Sequence, residues 1–127
     1  MKFFPLVEFP CLGIKVENAF TGKRYPESGE VVAIIDTGYE GFLMLPEDIF
    51  TQLEFSKLSM SERTLLMPDG RILKTKGTYG FVIVNDYRVD GFIETSEIGE
   101  VILGLEFLSN FRITFDFCLK RLEIDTC

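Results

Sequence analysis

Val31-Val32-Ala33-Ile34-Ile35-Asp36-Thr37-Gly38-Tyr39-Glu40-Gly41-Phe42-Leu43-Met44-Leu45-Pro46 is the stretch on which the reading of this chain turns. Its first five residues form an apolar, β-branched run too short for a typical helix, which predicts a strand buried on both faces. That strand delivers the chain into Asp36-Thr37-Gly38. A carboxylate directly after such a run sits where the backbone leaves the interior. Thr37 adds a hydroxyl, and Gly38 lets another group approach the backbone closely. Taken alone, Asp-Thr-Gly reads first as a turn in which the Asp side chain caps its own backbone, and only its context points further. Phe42–Leu45 resumes a strand, and Pro46-Glu47-Asp48 then predicts a helix running to about Leu53. Proline suits the first helical position, and acids in the first turn complement the helix dipole.

Working outward, β-type segments dominate. Leu12–Glu17 alternates like a half-buried strand, and Asn18–Glu30 is punctuated by turn residues. Met67-Pro68-Asp69-Gly70-Arg71 is a turn between two extended arms, Thr64–Leu66 and Ile72–Lys76, which together predict a hairpin. Strands are expected at Gly80–Val84 and Arg88–Glu94. Val101-Ile102-Leu103-Gly104 forms a second apolar run closed by glycine, followed by a short helix over Leu105–Asn110. Phe111, Ile113, Phe115 and Phe117 alternate along a further strand, and Arg121–Ile124 is the last. With no linker and no low-complexity segment, residues 1–127 are expected to form one β-rich domain.

Composition narrows the chemistry. The chain has 127 residues, including 13 Phe but no His and no Trp. Without histidine it cannot build a Ser–His–Asp or Cys–His pair, a His-bearing zinc site or a haem with a His axial ligand. The formal net charge of −7 repels phosphate backbones, so no nucleic-acid partner is expected. Cys11, Cys118 and Cys127 are odd in number and lack C-x-x-C spacing, and read as reduced thiols of a cytoplasmic protein. The N-terminal segment is apolar but broken by Pro5, Glu8 and Pro10, unlike a secretory signal. No run approaches the ~20 apolar residues of a membrane span, so no membrane association is expected.

Apolar-apolar-Asp-Thr-Gly, the Phe42–Pro46 segment, a turn-tipped hairpin and Ile102-Leu103-Gly104-Leu105-Glu106-Phe107-Leu108 follow one another in the order seen in retroviral-type aspartic proteases. The chain resembles this retropepsin-like family from about Val31 to Ile124. It is closest to small single-domain microbial members, with a D-T-G-aromatic-x-G-x-L-x-L-P signature read here from Asp36 to Pro46. The resemblance implies an all-β, closed-barrel-like acid protease fold with one or two short helices. It makes Asp36 the catalytic aspartate, with Thr37 hydrogen-bonding across to a partner chain and Gly38 letting two active-site loops touch. Ile102, Leu103 and Gly104 would support that loop, and Met67, Pro68, Asp69, Gly70 and Arg71 would form a flap over substrate. Two departures stand out. Tyr39 replaces the usual Ala or Ser after the glycine, and the flap carries only Gly70 at its tip.

Hydrolysis of this kind needs two carboxylates, one activating a water while the other, protonated, polarises the scissile carbonyl. Like charges about 3 Å apart cannot both ionise, so the pair shares one proton and activity is expected on the acidic side of neutral. This chain has one Asp-Thr-Gly, and its second apolar run carries Ile102 where an acid would be needed. One chain is therefore half a site, and a two-fold homodimer completes it. The terminal segments Phe3–Phe9 and Arg121–Ile124 are candidate interface strands. The expected substrate is a peptide or unfolded protein, with no metal or organic cofactor. Glu40 reads as a solvated loop side chain, Asp69 as a turn former and Asp116 as a residue of an exposed face. The alternative is a non-catalytic dimerisation or peptide-binding module on the same fold. A nucleotide enzyme is disfavoured because no glycine-rich phosphate cradle or G-K-[ST] is present.

Overall fold

The computed structural model describes residues 2–5, 10–67 and 69–127. Its strands follow the β-branched and aromatic runs: β1 (Lys2–Pro5), β2 (Cys11–Glu17), β3 (Arg24–Tyr25), β4 (Val31–Ile35) and β5 (Leu43–Pro46). Helix α1 (Glu47–Gln52) comes next, then β6 (Ser61–Leu66), β7 (Ile72–Val84), β8 (Tyr87–Ser96) and β9 (Ile102–Leu103). Helix α2 (Leu105–Leu108), β10 (Phe111–Asp116) and β11 (Arg121–Thr126) complete the chain. The fold is all-β apart from these two short helices and one 3-10 turn at Phe55–Lys57.

The larger sheet runs β3-β2-β4-β9-β5-β8-β7-β6, and a further pairing of β2 with β7 bends it back on itself. The result is a closed ring of β2, β4, β9, β5, β8 and β7, with β3 and β6 as appendages, which is the barrel-like closure expected. A smaller sheet, β1-β11-β10, packs beside it. Leu122 and Ile124 alternate along β11 and are completely buried, which joins this sheet to the common core.

Aromatic residues fill the centre. Phe42, Phe50, Phe55 and Phe107 are at most 2% exposed. Phe107 packs edge-on against Phe42 at 5.7 Å between centroids and against Phe111 at 5.1 Å. Helix α1 turns Ile49 and Phe50 inward and carries Glu47 and Asp48 in its first turn. Buried Asn18 donates its amide to the Leu53 carbonyl just past that helix, at 2.8 Å. Its side-chain oxygen accepts the Phe20 N–H at 2.9 Å, so the turn-rich segment is moored to the core through one amide.

The structure adjusts several element boundaries. Ile72–Lys76 and Gly80–Val84 are not separate strands but the two ends of β7. Gly77 and Gly80, inside this strand, are required by close approach of neighbouring strands. A Cβ on Gly77 would lie 2.8 Å from Glu94 Cα, and one on Gly80 would lie 3.0 Å from the Glu17 carbonyl oxygen. Pro46 is the N-cap of α1 rather than its first helical residue. Helix α2 stops at Leu108, where the Asn110 side chain covers the Glu106 and Phe107 carbonyls at 3.0 Å each. Phe117 lies beyond β10 and is 67% exposed.

Candidate active site

Asp36 follows β4 directly and opens the loop that returns through β5. Between those two strands lies β9, parallel to β4 and antiparallel to β5. The loop therefore rests on the Ile102-Leu103-Gly104 segment. Asp36 N donates to Leu103 O at 3.0 Å and Gly104 N to Phe42 O at 3.1 Å. Leu105 N reaches Tyr39 O at 2.8 Å, and Glu106 N reaches Gly41 O at 3.1 Å. Asp36 Oδ1 accepts the Gly38 N–H at 2.9 Å, closing the turn and fixing the carboxylate's aim while leaving the residue exposed. Thr37 and Gly38 are exposed beside it.

Asp36, Gly38 and Glu40 border a cavity of about 350 Å³ whose roof is the β6–β7 hairpin. The roof contributes Leu65, Leu66, Met67 and Leu73, and Met44 and Ile102 line it from the barrel. Glu40 is exposed, as a solvated loop side chain should be, but it lies on the rim of the cavity. Of the hairpin residues singled out by the turn signal, Met67 lines this space. Asp69, Gly70 and Arg71 form an exposed tip in which Asp69 Oδ2 pairs with Arg71 Nε at 2.6 Å. Gly70 adopts a φ of +88°, which glycine alone takes without strain. Pro68 lies outside the described residues, as does the 6–9 part of the N-terminal segment. A wider cavity of about 910 Å³ lies along the same hairpin, sharing Thr64 and Leu73 with the first.

Tyr39, the departure from the expected pattern, has a defined job. Its ring crosses Gly41 and Gly104, where a Cβ would lie 2.6 Å from Tyr39 Cζ and from Tyr39 Cδ2 respectively. Its phenol donates to the carboxylate of Glu94 on β8. Glu94 is completely buried. Arg63 of β6 donates to its two oxygens at 3.2 Å and 3.0 Å, and the Thr75 hydroxyl of β7 donates at 2.5 Å. Burial and the Glu94 charge push the Tyr39 phenol far above its ordinary pKa. Burial works against the charge on Arg63, but Glu94 more than offsets it and the pKa of the guanidinium is raised. The sequence reading missed Glu94, Arg63 and Thr75. The available signal was an acid inside an otherwise apolar strand segment, Gly91-Phe92-Ile93-Glu94.

No family model matches the sequence. An uncharacterised protein of Archaeoglobus fulgidus is 40% identical over 121 residues, covering 93% of this chain and 94% of that protein. Among solved structures, a retropepsin-like aspartic protease from Rickettsia conorii superposes with a TM-score of 0.62 at 16% identity, over 95% of each chain. The EIAV protease gives 0.55 at 14% identity, over 84% of this chain and 90% of that one. The retroviral protease-like domain of Ddi1 from Leishmania major gives 0.55 at 13% identity, over 95% and 91%. The fold is therefore retropepsin-like. By sequence the chain belongs to one family with the Archaeoglobus fulgidus protein. Among the described residues, no helix is long and apolar enough to cross a membrane.

Proposed function

We propose that this chain is an aspartic endopeptidase that works as a homodimer and hydrolyses peptide bonds in extended substrates. The observation that carries the reading is the position of Asp36: an exposed carboxylate, one per chain, bordering an apolar cavity under a hairpin. Two such loops meeting at a two-fold axis bring two Asp36 side chains together. One carboxylate then takes a proton from the attacking water while the other, protonated, hydrogen-bonds the scissile carbonyl. Exposed Thr37 and Gly38 are free to meet their counterparts across that axis. The peptide lies beneath the hairpin as an added strand, its backbone hydrogen-bonded and its side chains held in alternate pockets. Met44, Leu65, Leu73 and Ile102 favour apolar side chains flanking the cut.

The test is incubation with an unfolded protein at roughly pH 4–6, where a shared proton persists on such a pair, with fragments read by mass spectrometry. Wild type should produce fragments and Asp36→Asn none, both remaining dimeric. A monomer at working concentration, or identical fragments from both proteins, overturns the reading.

A further inference from the structure

We infer that Glu94 is a positioning residue that fastens the root of the hairpin to the loop carrying Asp36. This rests on the reading of Asp36 as catalytic and goes beyond it. The carboxylate receives donors from three separate elements: Tyr39 from the loop, Arg63 from β6 and Thr75 from β7. Glu94 itself belongs to β8, which pairs with both β5 and β7. Each of its oxygens accepts two hydrogen bonds, one of them from Arg63. Arg63 also lies over the Phe92 ring, 5.7 Å from guanidinium carbon to centroid.

The consequence is mechanical. Lifting the whole hairpin would strip a completely buried carboxylate of its guanidinium, the most costly kind of loss among polar contacts. The root is pinned at Arg63 and Thr75, and opening is confined to the part of the hairpin beyond them. The same carboxylate orients Tyr39, three residues after Asp36, so the hairpin and the catalytic loop share one reference point. A nearby glycine serves the same end. A Cβ on Gly41 would lie 2.7 Å from Glu94 Oε2, so only glycine leaves room for the phenol to reach it.

Two conservative variants test this. Tyr39→Phe removes the loop's hydroxyl and keeps the ring. Arg63→Lys keeps the charge and loses the two-point grip. On a peptide that wild type cleaves, well below the melting temperature, each should lower kcat about tenfold while KM changes little, as misplacement of a reacting group does. The double variant should fall no further than the worse single one, because both act through the same carboxylate. Unchanged kcat in both variants, with Asp36→Asn inactive, overturns the positioning role and leaves the protease reading intact. If wild type cleaves nothing, the protease reading fails and amide exchange decides the coupling. Arg63→Lys should then quicken exchange at residues 36–41, and Tyr39→Phe should quicken it at residues 64–73. Quickening confined to the substituted element overturns the inference.

Discussion

Tyr39 and Glu94 stand 55 positions apart in the chain and share one hydrogen bond, from phenol to carboxylate. The folded state holds that phenol neutral well above its ordinary value of 10.0, through burial first and the Glu94 hydrogen bond and charge second. A pKa raised on folding contributes stability that is complete below the unfolded value and is lost as pH climbs past it. Wild type should therefore melt above Tyr39→Phe at neutral pH, with the gap shrinking as pH rises beyond about 10. Paired thermal melts across that range measure it, and a constant gap would contradict the assigned hydrogen bond.

Gly104→Ala should damage the site more than its size suggests. The added methyl would lie 2.6 Å from both Tyr39 Cδ2 and the Tyr39 carbonyl oxygen, and the second of these is backbone. Overpacking of this kind costs about 1–3 kcal/mol, and activity should fall with the displaced loop. Gly99→Ala is the control, since nothing lies within 4 Å of its Cβ position. Its urea midpoint should stay level or rise.

Phe107→Ala removes a fully buried ring that joins Phe42 to Phe111. The expected loss is about 3–5 kcal/mol, read as a lower urea midpoint with an unchanged slope.

Leu66 and Ile72 face each other across the hairpin near its turn and are 78% and 67% exposed. Changing either to Ser should leave stability within about 0.5 kcal/mol, as surface positions do. If the hairpin covers substrate, KM should rise while the melting temperature holds. Unchanged kinetics would place the contact elsewhere.

Much of this was legible from local signals. The apolar run into Asp36-Thr37-Gly38, the hairpin turn and the run ending at Gly104 each carry their meaning within a few residues, and the structure sets them around one loop. The Tyr39–Glu94–Arg63 cluster was not legible, because its members meet only once β6, β7 and β8 are paired. The continuity of β7 through Gly77 and Gly80 was not legible either, because these glycines admit neighbouring β8 and β2 only once the strands are paired. Of the residues the turn signal marked, Met67 lines the cavity, whereas Leu65, Leu66 and Leu73, which line it from the arms, carried no such signal. The terminal segments were expected as interface strands. In the structure β1 pairs with β11 of the same chain, which leaves β1 and β10 as the outer strands of that sheet.

The closure of the barrel through β2 and β7 bears on which strand edges are open to stray pairing. A ring hides its backbone donors and acceptors from other molecules, whereas β6 ends the larger sheet, its outer side unpaired among the described residues. That border is six residues long and carries the exposed charge of Glu62. Charges on a short border strand discourage stray strands from adding to it. The hairpin thus carries its own guard against fibre growth.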